Sequence, residues 1–224
     1  MKLLVDNCSY QAAKHAVMHY HYSKRMPSSK LIKHGVWVDG SFVGAIIYGR
    51  GASYNAMNFL DLKKGQWAEL VRVALNGKQK VPTSKALAFS IKKIKKENPG
   101  LRALVSYADQ EQNHLGVIYQ ATNWIYFGET GKRNSVEYLI NGEWVHKRTA
   151  DGKYSGDFLK KCLIKHRLPK HKYVYPLKKE LRGIYKSKAL PYPKICGGSD
   201  TRDTRLNHGL KGGATPTPPL EEVF

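Results

Sequence analysis

A phenol, a carboxylate, a guanidinium and a serine stand at the points of this sequence where chemistry is easiest to place. Residues 104–128 read LVSYADQEQNHLGVIYQATNWIYFG. The apolar run over residues 101–107 has the length of a buried strand, and it breaks at Ala108 and Asp109. Polar residues follow, and Leu115, Ile118 and Thr122 then recur at helical spacing around Tyr119. A passage from strand through a polar break into a helix is where α/β domains place their ligands. A carboxylate ending the strand can accept a proton, and a phenol on the helix can donate one. Arg72 lies inside WAELVRVAL, residues 67–75, which alternates like a strand. A charge there is costly to bury, so Arg72 belongs at an edge or is aimed into a site. Glu69 and Arg72 fall on opposite faces of a strand of period two, so they need not pair. Ser84 and Lys85 follow a basic loop at the start of a helix, where free N–H groups bind anions. His19 and His21 are two residues apart, which points them about 200° from each other on an intact helix. They share a ligand only if the helix has unwound; otherwise they read as surface or capping groups.

These side chains need a framework, and the pattern supplies one. A short strand at residues 2–5 precedes a helix capped by Ser9 and running to about Tyr22. Pro27, Ser28 and Ser29 mark a basic loop. Residues 35–50 read as a hairpin turning at Asp39-Gly40, and residues 51–58 as an irregular loop. Thr83 is a candidate N-cap for a helix to Glu97, with Leu87, Ile91 and Ile94 on one face and lysines opposite. A strand over residues 124–128 and a hairpin over 135–148, turning at Asn141-Gly142, complete a mixed domain of residues 1–150.

The rest differs in character. Residues 151–198 carry 13 Lys or Arg against 3 Asp or Glu, with five tyrosines interleaved. Basic groups hold phosphates and aromatic rings stack on bases, so this extension is a candidate for nucleic-acid contact. Short helices are expected over residues 158–166 and 178–188, and a flexible Gly-, Thr- and Pro-rich tail over 199–224. The whole chain carries a formal charge of +21, which attracts polyanions. Cys8, Cys162 and Cys196 show no disulfide spacing, which suits a reducing cytosol. No run of 18 apolar residues is present to span a membrane, and MKLLVDNC is too soon acidic for a signal peptide.

Two resemblances rest on these residues. The element order resembles the GNAT acyltransferase fold, a mixed, mostly antiparallel sheet flanked by helices. Counted from Gln112, Tyr119 stands where that family's general-acid tyrosine protonates the thiolate leaving from coenzyme A. The family's glycine-rich pyrophosphate loop is replaced by NGKQKVPTSKA, and its Gly-Phe by Asn123-Trp124. The second resemblance is more specific. HYSKRMPSS, ELVRVAL and SYAD…GxxYQAxNWxYxG look like the Mom family of phage DNA-modification proteins, over residues 15–130.

That resemblance implies a phage-encoded enzyme in the host cytoplasm that converts adenine in double-stranded DNA to N6-carbamoylmethyladenine, shielding phage DNA from restriction. It implies Tyr119 as acid or oxyanion donor, Asp109 as acceptor of the amine proton and Arg72 as holder of a phosphate or carboxylate. Ser84 and Lys85 would meet the phosphates of acetyl-CoA or another acyl donor. His19, His21, Tyr22, Ser23, Tyr107, Asn123 and Trp124 would contact substrate, with Tyr20 and Tyr48 as further aromatics. Iron is a possible cofactor through the family, although the sequence shows no ligand set. Acyl transfer alone would leave an amide on N6, so a CH2-linked carboxamide needs a further step. The rival expectations are an amine acyltransferase of the GNAT kind and a DNA-binding protein without catalysis.

Overall fold

The computed structural model describes residues 1–50, 57–131 and 136–194. Residues 51–56 of the loop expected over 51–58, Ser135, Cys196 and the tail at 199–224 lie outside the described residues.

The N-terminal strand β1 (Leu3–Asn7) leads into helix α1 (Tyr10–Tyr20). Ser9 caps α1 by accepting a hydrogen bond from the Ala12 N–H, and Ala13, Ala16 and Val17 form its buried face. The hairpin of β2 (Ile32–Val38) and β3 (Ser41–Gly49) turns at Asp39 and Gly40, both with positive φ, 48° and 82°. That pair is what a tight primed turn demands. β4 (Trp67–Leu75) and α2 (Thr83–Glu97) follow. Pro82, rather than Thr83, is the N-cap of α2, and no side chain satisfies its first turn. β5 (Ala103–Asp109), α3 (Val117–Gln120) and β6 (Ile125–Glu129) come next. A small subdomain is built from β7 (Val136–Ile140), β8 (Glu143–His146), α4 (Lys147–Asp151), α5 (Gly156–Lys160) and β9 (Ile164–His166). The chain then forms β10 (Lys170–Pro176) and α6 (Lys179–Lys186).

The main sheet has the order β1-β2-β3-β4-β5-β10-β6, and the small sheet β8-β7-β9. Every pairing in the main sheet is antiparallel except β4 with β5. That parallel pair is registered only over Trp67–Glu69 against Ala103–Val105. Beyond it the two carboxyl ends continue on separate sides of an opening. α2 and the Tyr119 segment pack on one face, against Ile46, Leu70, Leu104 and Trp124. α1 covers β3 and β4 on the other face, and α6 covers β5, β10 and β6 there.

Two expectations are corrected here. The boundary at residue 150 does not separate two folding units. Lys170–Pro176 is inserted between β5 and β6, so the basic extension completes the main sheet. Residues 158–166 are not one helix: α5 ends at Lys160 and β9 pairs with β7, because Ile164 and its neighbours find strand partners.

Candidate active site at the parting of two strands

In a sheet with a parallel pair, ligands gather outside the carboxyl ends of the strands where neighbouring connections diverge. Here that point is the opening between β4 and β5. α2 begins above the end of β4, and α3 follows the end of β5 after a turn at Gln110–Gln112.

Tyr119 reaches the opening from α3. Its ring lies against Trp124 and Tyr173, with centroids 5.2 and 5.1 Å away, and its hydroxyl meets Ser106 Oγ at 2.9 Å. Ser106 also donates to the Leu70 carbonyl at 2.9 Å, tying the phenol to both parting strands. Burial pushes the Tyr119 hydroxyl up to about 12, so it keeps its proton at neutral pH. Tyr22 and Glu69 lie close enough to act on it electrostatically. Gly116 fixes the approach of α3: its φ is +77°, and a Cβ there would run into the Tyr173 ring.

Arg72 enters from β4. Val71 is an extra residue in the β3–β4 register, since Ile47 faces Arg72 while Tyr48 faces Leu70. This bulge breaks the two-residue period, so Glu69 and Arg72 turn to the same side, against the expectation of opposite faces. The guanidinium is partly buried and donates to Arg25 O at 3.3 and 3.1 Å, and to Val71 O at 2.6 Å. Burial lowers its pKa, with Tyr22 and Glu69 acting in the opposite direction.

Asp109 closes β5 and is 3% exposed. Its Oδ2 pairs with Lys170 Nζ at 2.9 Å and Arg167 at 3.1 Å, while Oδ1 accepts from Glu111 N at 3.2 Å. Burial alone would raise its pKa. The hydrogen bond and charge of Lys170, with Arg167, overcome that and hold it below the ordinary carboxylate range. Asp109 is therefore a fixed anion, an acceptor of hydrogen bonds more than a strong base.

His21, Tyr22 and Ser23 leave the end of α1 and form the opposite wall. His21 Nδ1 accepts from Ser23 N at 3.1 Å and lies 2.9 Å from Ser23 Oγ, so the ring proton is assigned to Nε2. Burial, with the Arg72 guanidinium and the His114 ring nearby, pulls His21 down to about 4. It is a neutral donor at pH 7. Tyr22 stacks on His21 at 4.3 Å and meets His114 edge-on at 5.9 Å. Burial and the Asp109 charge raise its pKa.

The structure thus gathers Tyr119, Asp109, Arg72, His21, Tyr22, Ser23 and Tyr107 at one opening. It leaves others outside. His19 is exposed, stacked on His15 at 4.2 Å, with Nδ1 donating to the His15 carbonyl. Trp124 and Tyr48 are wholly buried in the core, so neither has a face free to stack on a base. Asn123 is an exposed turn residue with φ +61°. Tyr20 meets His15 edge-on at 5.8 Å and packs against the apolar cluster beneath α1. Ser84 is half-buried and Lys85 exposed in the first turn of α2, at the upper end of the opening. His114, Arg167 and Lys170 belong to the site and carried no sequence signal; the last two arrive just before and at the start of β10, about 60 residues from Asp109. Among the described residues no three His, Cys, Asp or Glu side chains are placed to hold a metal ion, so iron has no protein site there.

The strand order and the parting of β4 from β5 define a GNAT-like fold. The chain belongs to the Mom protein family, whose sequence profile matches residues 2–194. It is 27% identical over 206 residues to the "Methylcarbamoylase mom" of Escherichia phage Mu, covering 86% of this chain and 84% of that protein. Solved structures similar to it include an N-acetyltransferase from Staphylococcus aureus Mu50, at 10% identity and TM-score 0.47 over 79% of this chain and 99% of that one. The ribosomal-protein-S18-alanine N-acetyltransferase of Escherichia coli gives 10% identity and TM-score 0.44, over 79% and 94%.

Proposed function

We propose that this protein is a phage-encoded transferase that acts in the host cell on adenine in double-stranded DNA, yields N6-carbamoylmethyladenine and so protects the DNA from restriction. The observation that carries this reading is a protonated phenol, a fixed carboxylate and a guanidinium around one opening, in a family member of charge +21. Chemistry on an adenine amino group requires the base to leave the duplex stack, and the cationic surface would hold the backbone while it does.

The N6 amine is a poor nucleophile because its lone pair is shared with the ring. Asp109 would accept a hydrogen bond from it and orient it. Tyr119, protonated across the physiological range, would donate to the oxygen or leaving group that gains charge. Arg72 would hold a phosphate or carboxylate of either substrate. An acyl donor of the coenzyme A type fits the start of α2, where no side chain caps the first turn and Ser84 and Lys85 lie alongside. When bound, such a donor supplies an activated carbonyl carbon. Acyl transfer alone leaves an amide, so the CH2-linked product needs a further step.

Restriction protection tests the reading. Plasmid from cells producing the protein should resist endonucleases whose sites contain adenine, and plasmid from an Arg72→Ala strain should be cut. Equal cutting of both, with folded protein present in each, would refute it.

A further inference from the structure

An aromatic shelf lies beside the opening that the proposed chemistry leaves unused. Tyr107 and Asp109 are two residues apart on β5 and so share a face, about 7 Å apart along the strand. Across the sheet, Tyr107 is registered against Lys172 and Asp109 against Lys170. Lys172 Nζ stands 4.2 Å above the Phe59 ring, and Phe59 meets Phe127 edge-on at 5.3 Å. Phe59 is 40% exposed, and the Phe127 ring it meets packs against a buried cluster that includes Met57, Leu60 and Trp67. Half-buried Tyr107 and Phe127 pack against the same cluster. Burial lowers the pKa of the Lys172 ammonium, so it is a poorly hydrated donor in search of an acceptor.

We propose that Phe59 and Tyr107 form the stacking shelf for a nucleobase extruded from DNA, with Lys172 donating to a ring nitrogen and Asp109 accepting from the exocyclic amine. This rests on the DNA-modifying reading above and adds the site that holds the base. The polarity of the two polar groups carries the choice of base. Lys172 can only donate, and the ionised Asp109 can only accept. Adenine and cytosine present an amino donor beside a ring-nitrogen acceptor. Held by the same Watson–Crick edge and in the same orientation, guanine and thymine present the reverse, a carbonyl acceptor beside an N–H, and would set donor against donor and acceptor against acceptor. Lys172 and Asp109 are diagonal neighbours across β5 and β10, about 7–8 Å apart at the backbone, a span that their side chains and a base edge can close. The nearby cations Lys170 and Arg167 suit the flanking phosphates.

The test uses the full-length protein and a duplex carrying 2-aminopurine opposite an abasic site, where little stacking is lost on extrusion. Anisotropy of an end label reports binding, and 2-aminopurine emission reports the base leaving the stack. Wild type should bind and change the emission. Phe59→Ala should bind within about twofold, since the phosphate contacts remain, and lower the extruded fraction about fivefold or more. Phe59→Trp, which keeps an aromatic face, should restore it. Equal emission changes for wild type and Phe59→Ala would overturn the shelf while leaving DNA recognition standing. A wild-type protein that does not bind the duplex would overturn both.

Discussion

His21 and His34 are both held as neutral imidazoles, for different ends. His21 presents a donor at the opening, whereas His34 is wholly buried beneath α2. Its Nδ1 lies 2.8 Å from Ser90 Oγ, which also meets the Tyr48 hydroxyl at 2.8 Å, and its Nε2 has no partner. Burial pulls His34 from 6.5 to about 4. Because the folded value is the lower one, the unfolded chain takes up the proton first. The stabilisation is complete above pH 6.5 and is lost as the pH falls toward 4. A shift of this size corresponds to roughly 3 kcal/mol for His34, and His21 acts in the same direction. Urea midpoints should therefore drop between pH 7 and pH 4, and His34→Gln should flatten that drop while lowering the midpoint at pH 7. An unchanged slope in the variant would contradict the assignment. The sequence marks Asp109 by a change of period and Tyr119 by its spacing within the helix that follows. It cannot mark His34, Phe59 or Lys172, whose roles come from partners brought by other strands.

At the level of elements, local signals proved sufficient wherever the cause is local. The Ser9 cap, the Asp39-Gly40 turn, β4 and the apolar face of α2 all follow from short-range pattern. The bulge at Val71 does not, because an inserted residue is defined by the partner strand it fails to match. A single such residue reverses the inferred facing of Arg72. The short α3 is held by context as well. Tyr173 donates to the Leu115 carbonyl, Gln120 Nε2 donates to that carbonyl and to the Tyr173 hydroxyl, and Gly116 passes under the Tyr173 ring. Gly116→Ala combines a left-handed φ with an overlap against that ring. It should destabilise the protein by about 2–4 kcal/mol and displace Tyr119 enough to abolish modification. Denaturant unfolding and the modified-base content of cellular DNA would check both. Wild-type stability in this variant would mean that α3 sits otherwise than described.

The molecule as a whole is a sheet completed late. β10 leaves the basic stretch and slides between β5 and β6, carrying Lys170 and Lys172 to the opening and placing α6 over the sheet. Composition marks a surface that attracts polyanions, because a charge of +21 is a bulk property. It does not foretell that the basic extension completes the main sheet, since pairing across some 60 residues leaves no periodic trace. Its cations Arg167 and Lys170 are therefore structural members of the site, paired with Asp109. The account turns on Tyr119 as proton donor in a DNA-modifying site. The most direct measurement is nucleoside mass spectrometry of plasmid DNA from cells producing wild type or Tyr119→Phe. Losing the hydroxyl costs one hydrogen bond, about 1 kcal/mol of stability, because Ser106 keeps its bond to Leu70. Wild type should yield deoxyadenosine carrying a carbamoylmethyl group, and the equally abundant variant should yield it at a rate lower by about 100-fold or more. Equal modification by the two proteins, or unmodified deoxyadenosine with both, would contradict the account.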